Sequence, residues 1–361
     1  MLNMFKTFTD NLLGRGDAAI TVPVMDGVLK PNRVLDQAKL VCMLPGLDDI
    51  TVDGQAIYLS AGQSIYQLNG TTPDKLFDVS APITALASHE GTLALALAGR
   101  SVQTWRNNAG TWTLQNQTPD NAGLHAVNAL TLDPLGQVWI TDGSQRYNTE
   151  QWSNDLMTLG QTGRVLRWAP ASSKIEVLAH ELHHAFGVLK LGEQLLFSES
   201  WKHRLRLLGH IKPWLAELPS YPSRMAAASD GGVWLSCFVS RTQLVEFVLR
   251  EKTYREKMVQ EIDPRYWVVP ALSSGHSFLE PLQGAGVKQM GVLKPWAPPR
   301  SYGLVLKVSA QGRIQSSMHS QVDGQHHGIT AIAECQGHLY VVSKGGERLL
   351  RVALSPTPAE A

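Results

Sequence analysis

Cysteine is scarce. Cys42, Cys237 and Cys335 are the only three in 361 residues, widely spaced and without a CxxC pair. That argues against a disulfide framework or a thiolate zinc site and points to a reducing, cytoplasmic setting. Charge is scarce too, at 17% of residues. The 32 Lys and Arg nearly cancel the 31 Asp and Glu, leaving +1. With no basic run of five or more, the electrostatic footprint of a nucleic-acid binder is missing. No uncharged apolar stretch approaches the ~20 residues of a membrane helix. The first residues carry Lys6, Asp10 and Arg15 and have no apolar centre, so they do not read as a secretion signal. GxSxG and Walker patterns are absent from the sequence.

What is present is apolar and glycine-rich: 43% hydrophobic residues, 31 Gly and 10 Trp. The hydrophobic share supports a full core and excludes disorder. A turn glycine followed by a short apolar strand recurs six times: VDGQAIYLS (52–60), HEGTLALAL (89–97), PLGQVWITD (134–142), KLGEQLLFSE (190–199), SDGGVWLSC (229–237) and CQGHLYVVS (335–343). An alternating or small-residue strand precedes each copy, and another strand follows it. An outer strand then follows most copies, such as KLFDV, TWTLQN, KIEVLA, KPWLAEL and RIQSSM. The sixth copy lacks one, and residues 33–41 (RVLDQAKLV) are the candidate that closes the ring. Four strands taken six times is an all-β, six-bladed β-propeller, because a lone blade cannot bury its two faces and a closed ring buries all of them.

This divides the chain into an extension (1–32), the propeller (33–354) and a tail (355–361). Residues 241–299 interrupt the fifth copy. Their first part has Leu244, Phe247, Val248 and Tyr254 on roughly one helical face. Their second part is rich in Gly and Pro, and residues 273–294 are a candidate lid. Residues 1–13 also have helical spacing. Each segment is a candidate cap, dimer contact or peripheral membrane contact, and a helix packed on the propeller's side is the plainer reading.

The segments GQVWITDGSQRYN, TGRVLRWAPASSKIEVLAHELHHAFGVLKLGEQLLFSES and AELPSYPSRMAAASDGGVWLS resemble the strictosidine-synthase-like branch of the gluconolactonase/paraoxonase superfamily. PRSYGLVLKVSAQGRI and VDGQHHGITAIAECQGHLYVVS continue the resemblance, which spans residues 40–353. It implies a six-bladed propeller, in agreement with the repeat count. It also implies, for lactonases and esterases, a calcium or other divalent ion on the central axis. The ligand positions of that ion fall on Asp48, Asn128, Phe186, Ser223 and Arg224. Only Asp48 and Asn128 keep a suitable oxygen, so a metal-free axis is expected, with calcium disfavoured. The plant synthases use a catalytic Glu that falls here on Thr330, and Thr cannot perform that proton transfer. Strictosidine synthesis is therefore not expected.

Residues at the starts of inner strands converge on the propeller axis. Arg224 is the candidate replacement for the metal charge, either paired with Asp48 or free to grip a substrate carboxylate. His184 and His327 are candidate general bases, with His183 beside them. Asp48, Asn128, Tyr147, His183, Phe186, Ser223 and Thr330 are the expected substrate contacts. Glu199 is expected to satisfy buried backbone or an Arg between blades, and Trp139, Trp201 and Trp234 to pack between blades. The resulting expectation is hydrolysis of a small lactone or ester in the axial pocket without a cofactor. The alternatives are a non-catalytic small-molecule-binding or assembly propeller, and an enzyme forming C–N or C–C bonds.

Overall fold

The computed structural model of the chain describes residues 22–274 and 300–354. The expected helix at 1–13, the candidate lid from residue 275 onward and the tail at 355–361 lie outside the described residues. Six antiparallel sheets succeed one another along the chain. Their innermost strands are Leu47–Asp53, Ile83–His89, Val127–Leu132, Ala185–Leu191, Ser220–Ala227 and Ile329–Cys335. The expected six-bladed propeller is the observed fold.

The hydrophobic core is divided among the blade interfaces. Leu47, Leu59, Ala331 and Val342 join blades 1 and 6. Ile65, Ile83 and Leu95 join blades 1 and 2, and Ala85, Val102, Leu130 and Ile140 join blades 2 and 3. The three remaining interfaces are built in the same way. Each blade buries one face against the blade before it and the other against the blade after. No blade has a complete core of its own, which is why ring closure stabilises all of them.

Closure comes from the N-terminal side. Lys39–Met43 pairs antiparallel with Arg348–Ala353 as the outer strand of blade 6. The expected segment, 33–41, starts too early. Residues 34–37 turn instead, with Leu35 fully buried and Asp36 accepting from Ser320 Oγ at 2.6 Å.

Blade 4 has three strands rather than four, and the expected KPWLAEL strand supplies only an isolated bridge from Leu215 to Leu205. Pro213 has no N–H for a ladder, and Glu217 adopts φ +57°, which breaks the extended path.

Two segments cap one end. A short helix, α1 (Trp152–Met157), lies in the long connection of blade 3. In the blade 5 insertion, α2 (Gln243–Arg250) and α3 (Lys252–Glu261) follow one another with a break at Glu251. The break separates what the sequence pattern reads as one helix. It also changes the buried face: Val245 and Val248 are buried, whereas Leu244, Phe247 and Tyr254 are exposed. Met157, Val248, Met258 and Trp267 share one cluster, so the insertion packs on α1. No helix of the described residues is long and apolar enough to cross a membrane.

Candidate functional site

Every innermost strand breaks register with its neighbour near its start. Asp48, Thr84, Asn128 and Thr330 are each skipped in the pairing, as are Phe186 with Gly187 and Ser223 with Arg224. A bulge re-aims a side chain. Here, six bulges aim Asp48, Thr84, Asn128, Phe186, Arg224 and Thr330 at one axial cavity of about 280 Å³. Blades 4 and 5 approach closely at Gly187, where an added Cβ would stand 2.2 Å from the Ser223 carbonyl oxygen and 3.0 Å from Arg224 Cα.

Arg224 lies across the axis and is 6% exposed. Its Nε donates to the Asn128 carbonyl at 2.9 Å, and Nη1 donates to the Asp48 carbonyl at 3.0 Å. Nη2 donates to Asp48 Oδ2 at 2.9 Å and to the Thr84 carbonyl at 2.7 Å. Asp49 Oδ2 is 3.1 Å from Nε, and the Phe186 ring centroid is 5.5 Å from Cζ. Of the two roles expected for Arg224, the geometry therefore gives the paired one, with the guanidinium spent on blades 1, 2 and 3.

Burial works to lower the Arg224 pKa, and Asp49 and Asp48 more than offset it. Burial would raise Asp48, but Lys344 and Arg224 hold it below the ordinary carboxylate range. Asp49 has no lysine, and burial pushes it up to about 7. The guanidinium also separates the cavity from a second one of about 440 Å³, lined by Asp49, Ser88 and Glu334 among others.

His184 precedes the inner strand of blade 4 in the left-handed conformation, at φ +59°. Its Nδ1 is 3.2 Å from Asp155 Oδ2 on α1, and its ring stacks on Trp201 at 4.2 Å between centroids. Trp201 Nε1 donates to the same Asp155 oxygen at 2.8 Å. Burial would raise the Asp155 pKa, but the hydrogen bonds from His184 and Trp201 hold it low. An ionised Asp155 fixes the proton of His184 on Nδ1. That leaves Nε2 as an acceptor, 3.4 Å from the Asn128 amide. Gly143 makes this approach possible, because a Cβ there would stand 2.3 Å from Asn128 Nδ2 and 3.0 Å from His184 Cε1.

Six of the ten expected residues thus share the cavity wall: Asp48, Asn128, His184, Phe186, Arg224 and Thr330. The other four sit elsewhere. His327 is buried with both ring nitrogens engaged, Nδ1 with Ser301 Oγ and Nε2 with the Gln321 carbonyl, each at 2.7 Å. Ser223 is fully buried beside Ser236 Oγ and the Ile329 carbonyl. His183 is off the wall, its backbone N–H donating to Glu199 at 3.0 Å. Tyr147 is half-buried in the loop before α1 and does not reach the cavity. Glu199 takes its expected part, also pairing with Arg204 at 2.7 Å. Trp201 does not pack simply between blades, since it supports His184.

Some wall residues escape a reading of the sequence. Lys344 follows the second strand of blade 6 and pairs with Asp48 Oδ1. Trp152 and Leu272 from the two capping segments, with Phe238 from the second strand of blade 5, form an apolar wall. Asp155 and Trp152 sit on α1, whose only local signal is a capping box on the preceding turn, Asn148 to Gln151.

The superfamily implies an axial cation. The oxygens suited to one are Asp48 Oδ2, Asp49 Oδ2 and the carbonyls of Asp48, Thr84 and Asn128. All five already face the guanidinium, so a calcium ion does not fit beside Arg224. Among the described residues, no group of three or more His, Cys, Asp or Glu is disposed to hold a metal ion.

Fold and site together define a six-bladed propeller with a capped axial cavity. Within that class, the sequence model of the strictosidine synthase family matches residues 128–208. The chain is similar to the human adipocyte plasma membrane-associated protein, 24% identical over 367 residues that cover 92% of this chain and 81% of the relative. Among solved structures it resembles a gluconolactonase from Xanthomonas campestris, with a TM-score of 0.55, 12% identity and 93% and 95% of the two chains covered. It also resembles luciferin-regenerating enzyme, with a TM-score of 0.53, 12% identity and 89% and 94% coverage. The resemblance read from the sequence is borne out, and these two structures share the fold.

Proposed function

We propose that this propeller hydrolyses a small ester or lactone in its axial cavity, without a divalent cation and with His184 as general base. The observation that carries the reading is the Asp155–His184 pair at 3.2 Å on the cavity wall. An imidazole held by a carboxylate suits proton abstraction from water. Trp152, Phe186, Phe238 and Leu272 supply an apolar surface for the acyl or ring portion. The fold shared with a gluconolactonase supports lactones as a substrate class. Arg224 supplies the axial positive charge that a cation supplies elsewhere in the superfamily. Three free cysteines fit a reducing, cytoplasmic setting.

Chelator-treated protein is assayed on aryl acetates and five- and six-membered lactones. Turnover is expected, and His184→Gln lowers kcat about 10²- to 10³-fold. Equal rates in both proteins would overturn the role of His184.

A second reading is a binding propeller, favoured by the 1% exposure of His184 and its stacking on Trp201. It predicts that these compounds raise the melting temperature without being consumed.

A further inference from the structure

An ester or lactone hydrolase needs a group that takes up the negative charge forming on the carbonyl oxygen. Most donors on the cavity wall are committed to the protein itself. Thr84 Oγ1 donates to the Val127 carbonyl at 2.8 Å, and Thr330 Oγ1 donates to the Asp48 carbonyl at 2.9 Å. Asn128 Nδ2 donates to the Ala185 carbonyl at 3.0 Å. Arg224 is enclosed by the oxygens described above. Glu150, at the rim, carries the wrong sign.

Lys344 differs from all of these. Its side chain is 44% exposed, and Asp48 Oδ1 is its one ion-pair partner on the wall. An ammonium has three N–H groups, and Asp48 is the acceptor among the described residues, so two are left for solvent or ligand. Asp48 in turn is anchored from the other side by Arg224, which fixes where the ammonium stands.

We propose that Lys344 is a catalytic residue that stabilises the oxyanion, and that the substrate is a carbonyl ester or lactone with a compact apolar body. This rests on the hydrolase reading above and assigns its missing electrophile. Water adds to the carbonyl carbon while His184 takes one proton. The carbonyl π electrons move onto oxygen and face the Lys344 ammonium. The intermediate collapses, the C–O bond to the leaving group breaks, and the departing alkoxide takes the proton from His184. An ester gives an acid and an alcohol; a lactone gives one hydroxy acid. The body of the substrate lies against Trp152, Phe186 and Phe238.

Two measurements test this on the full chain. In steady-state hydrolysis of phenyl acetate, Lys344→Met is expected to lower kcat about 10²-fold with KM within about threefold, and Lys344→Arg to recover part of the loss. In thermal-shift titrations, phenyl methylphosphonate, an anionic tetrahedral mimic, is expected to bind wild type at least about tenfold more tightly than Lys344→Met. Neutral phenylacetone is expected to bind both equally. An unchanged kcat in an active Lys344→Met enzyme would overturn the assignment. So would equal binding of the phosphonate to both proteins. If wild type shows no hydrolysis but Lys344-dependent phosphonate binding, the hydrolase reading fails while Lys344 remains the anion-recognising group of the cavity.

Discussion

Arg224 and Asp48 meet twice, through Nη2 and Oδ2 at 2.9 Å and through Nη1 and the Asp48 backbone carbonyl at 3.0 Å. The contact joins blade 5 to blade 1 across the axis, and the same guanidinium reaches the carbonyls of Thr84 in blade 2 and Asn128 in blade 3. One side chain thus ties four of the six blades at their inner edges.

Removing Arg224 strands two buried carboxylates around an oxygen-lined space. Arg224→Ala is expected to cost about 3–5 kcal/mol, the usual penalty for breaking a buried pair from one side. It should also open a cage at the axis that accepts a hard cation. Millimolar calcium should therefore raise the melting temperature of Arg224→Ala and leave wild type unchanged. Calcium-insensitive melting of a folded Arg224→Ala would show that the guanidinium does not stand in for a cation.

Gly187 sets how closely blades 4 and 5 approach. A Cβ there would meet the Ser223 carbonyl oxygen at 2.2 Å, and backbone cannot rotate away as a flexible side chain can. Gly187→Ala is expected to destabilise the fold by about 1–3 kcal/mol. It should also displace Arg224 and weaken ligand binding in the cavity. Urea melts together with ligand-induced thermal shifts measure the two effects. A stable variant with intact binding would contradict the packing described.

The blade count was legible because each blade repeats a turn glycine at the same point of its hairpin, as at Gly54, Gly91 and Gly337, all with positive φ. The axial set was legible because it occupies one equivalent position per inner strand, and the bulges make that position face the cavity. His327 misled for the same reason. It occupies an equivalent-looking site, yet its ring turns into the protein towards Ser301 and Gln321. Lys344, Asp155 and Trp152 were not legible, since they come from connections between strands and no period marks them. The fate of KPWLAEL shows the limit of alternation as a signal. Its pattern is strand-like, but Pro213 and the left-handed Glu217 prevent a ladder.

The ring is closed by a strand from the other end of the chain, so its loss should be felt globally. Deleting residues up to Met43 uncovers Arg348–Ala353 as an unpaired edge. It also removes Val41, which packs in the interface of blades 1 and 6. The truncated protein is expected to lose cooperative unfolding, or to aggregate, under conditions where the full chain melts in one transition. Calorimetry with light scattering reads both outcomes. A truncated chain with an unchanged melting temperature would mean that blade 6 is stable without its outer strand.

Stability should fall in mild acid, because several imidazoles are buried in neutral form. His203 is pushed down to about 4, chiefly by burial, beside Glu246 at 3.4 Å. His319 is also pushed down to about 4 by burial, held between Tyr302 at 3.0 Å and Ser317 at 2.8 Å. Burial lowers His326 and His327 as well. In the unfolded chain each takes its proton near pH 6.5. From about pH 6.5 down to 4 the unfolded state therefore binds protons that the fold refuses, and stability declines. Burial would raise Glu246, but His203 and Arg241 hold it at about 2. Its contribution is lost only below the ordinary carboxylate range, so it extends the decline. Asp49, pushed up to about 7, acts in the opposite sense, since the fold gains its proton first as pH falls and is stabilised. Asp142, also raised by burial, acts in the same sense as Asp49, and four imidazoles against these two carboxylates give a net fall in melting temperature between about pH 7 and 4.5. His203→Gln and His319→Gln should each shallow that fall, read by circular dichroism melts across the range. A wild-type melting temperature that rises on acidification would mean that Asp49 and Asp142 outweigh the histidines, and that the imidazoles are charged inside the fold.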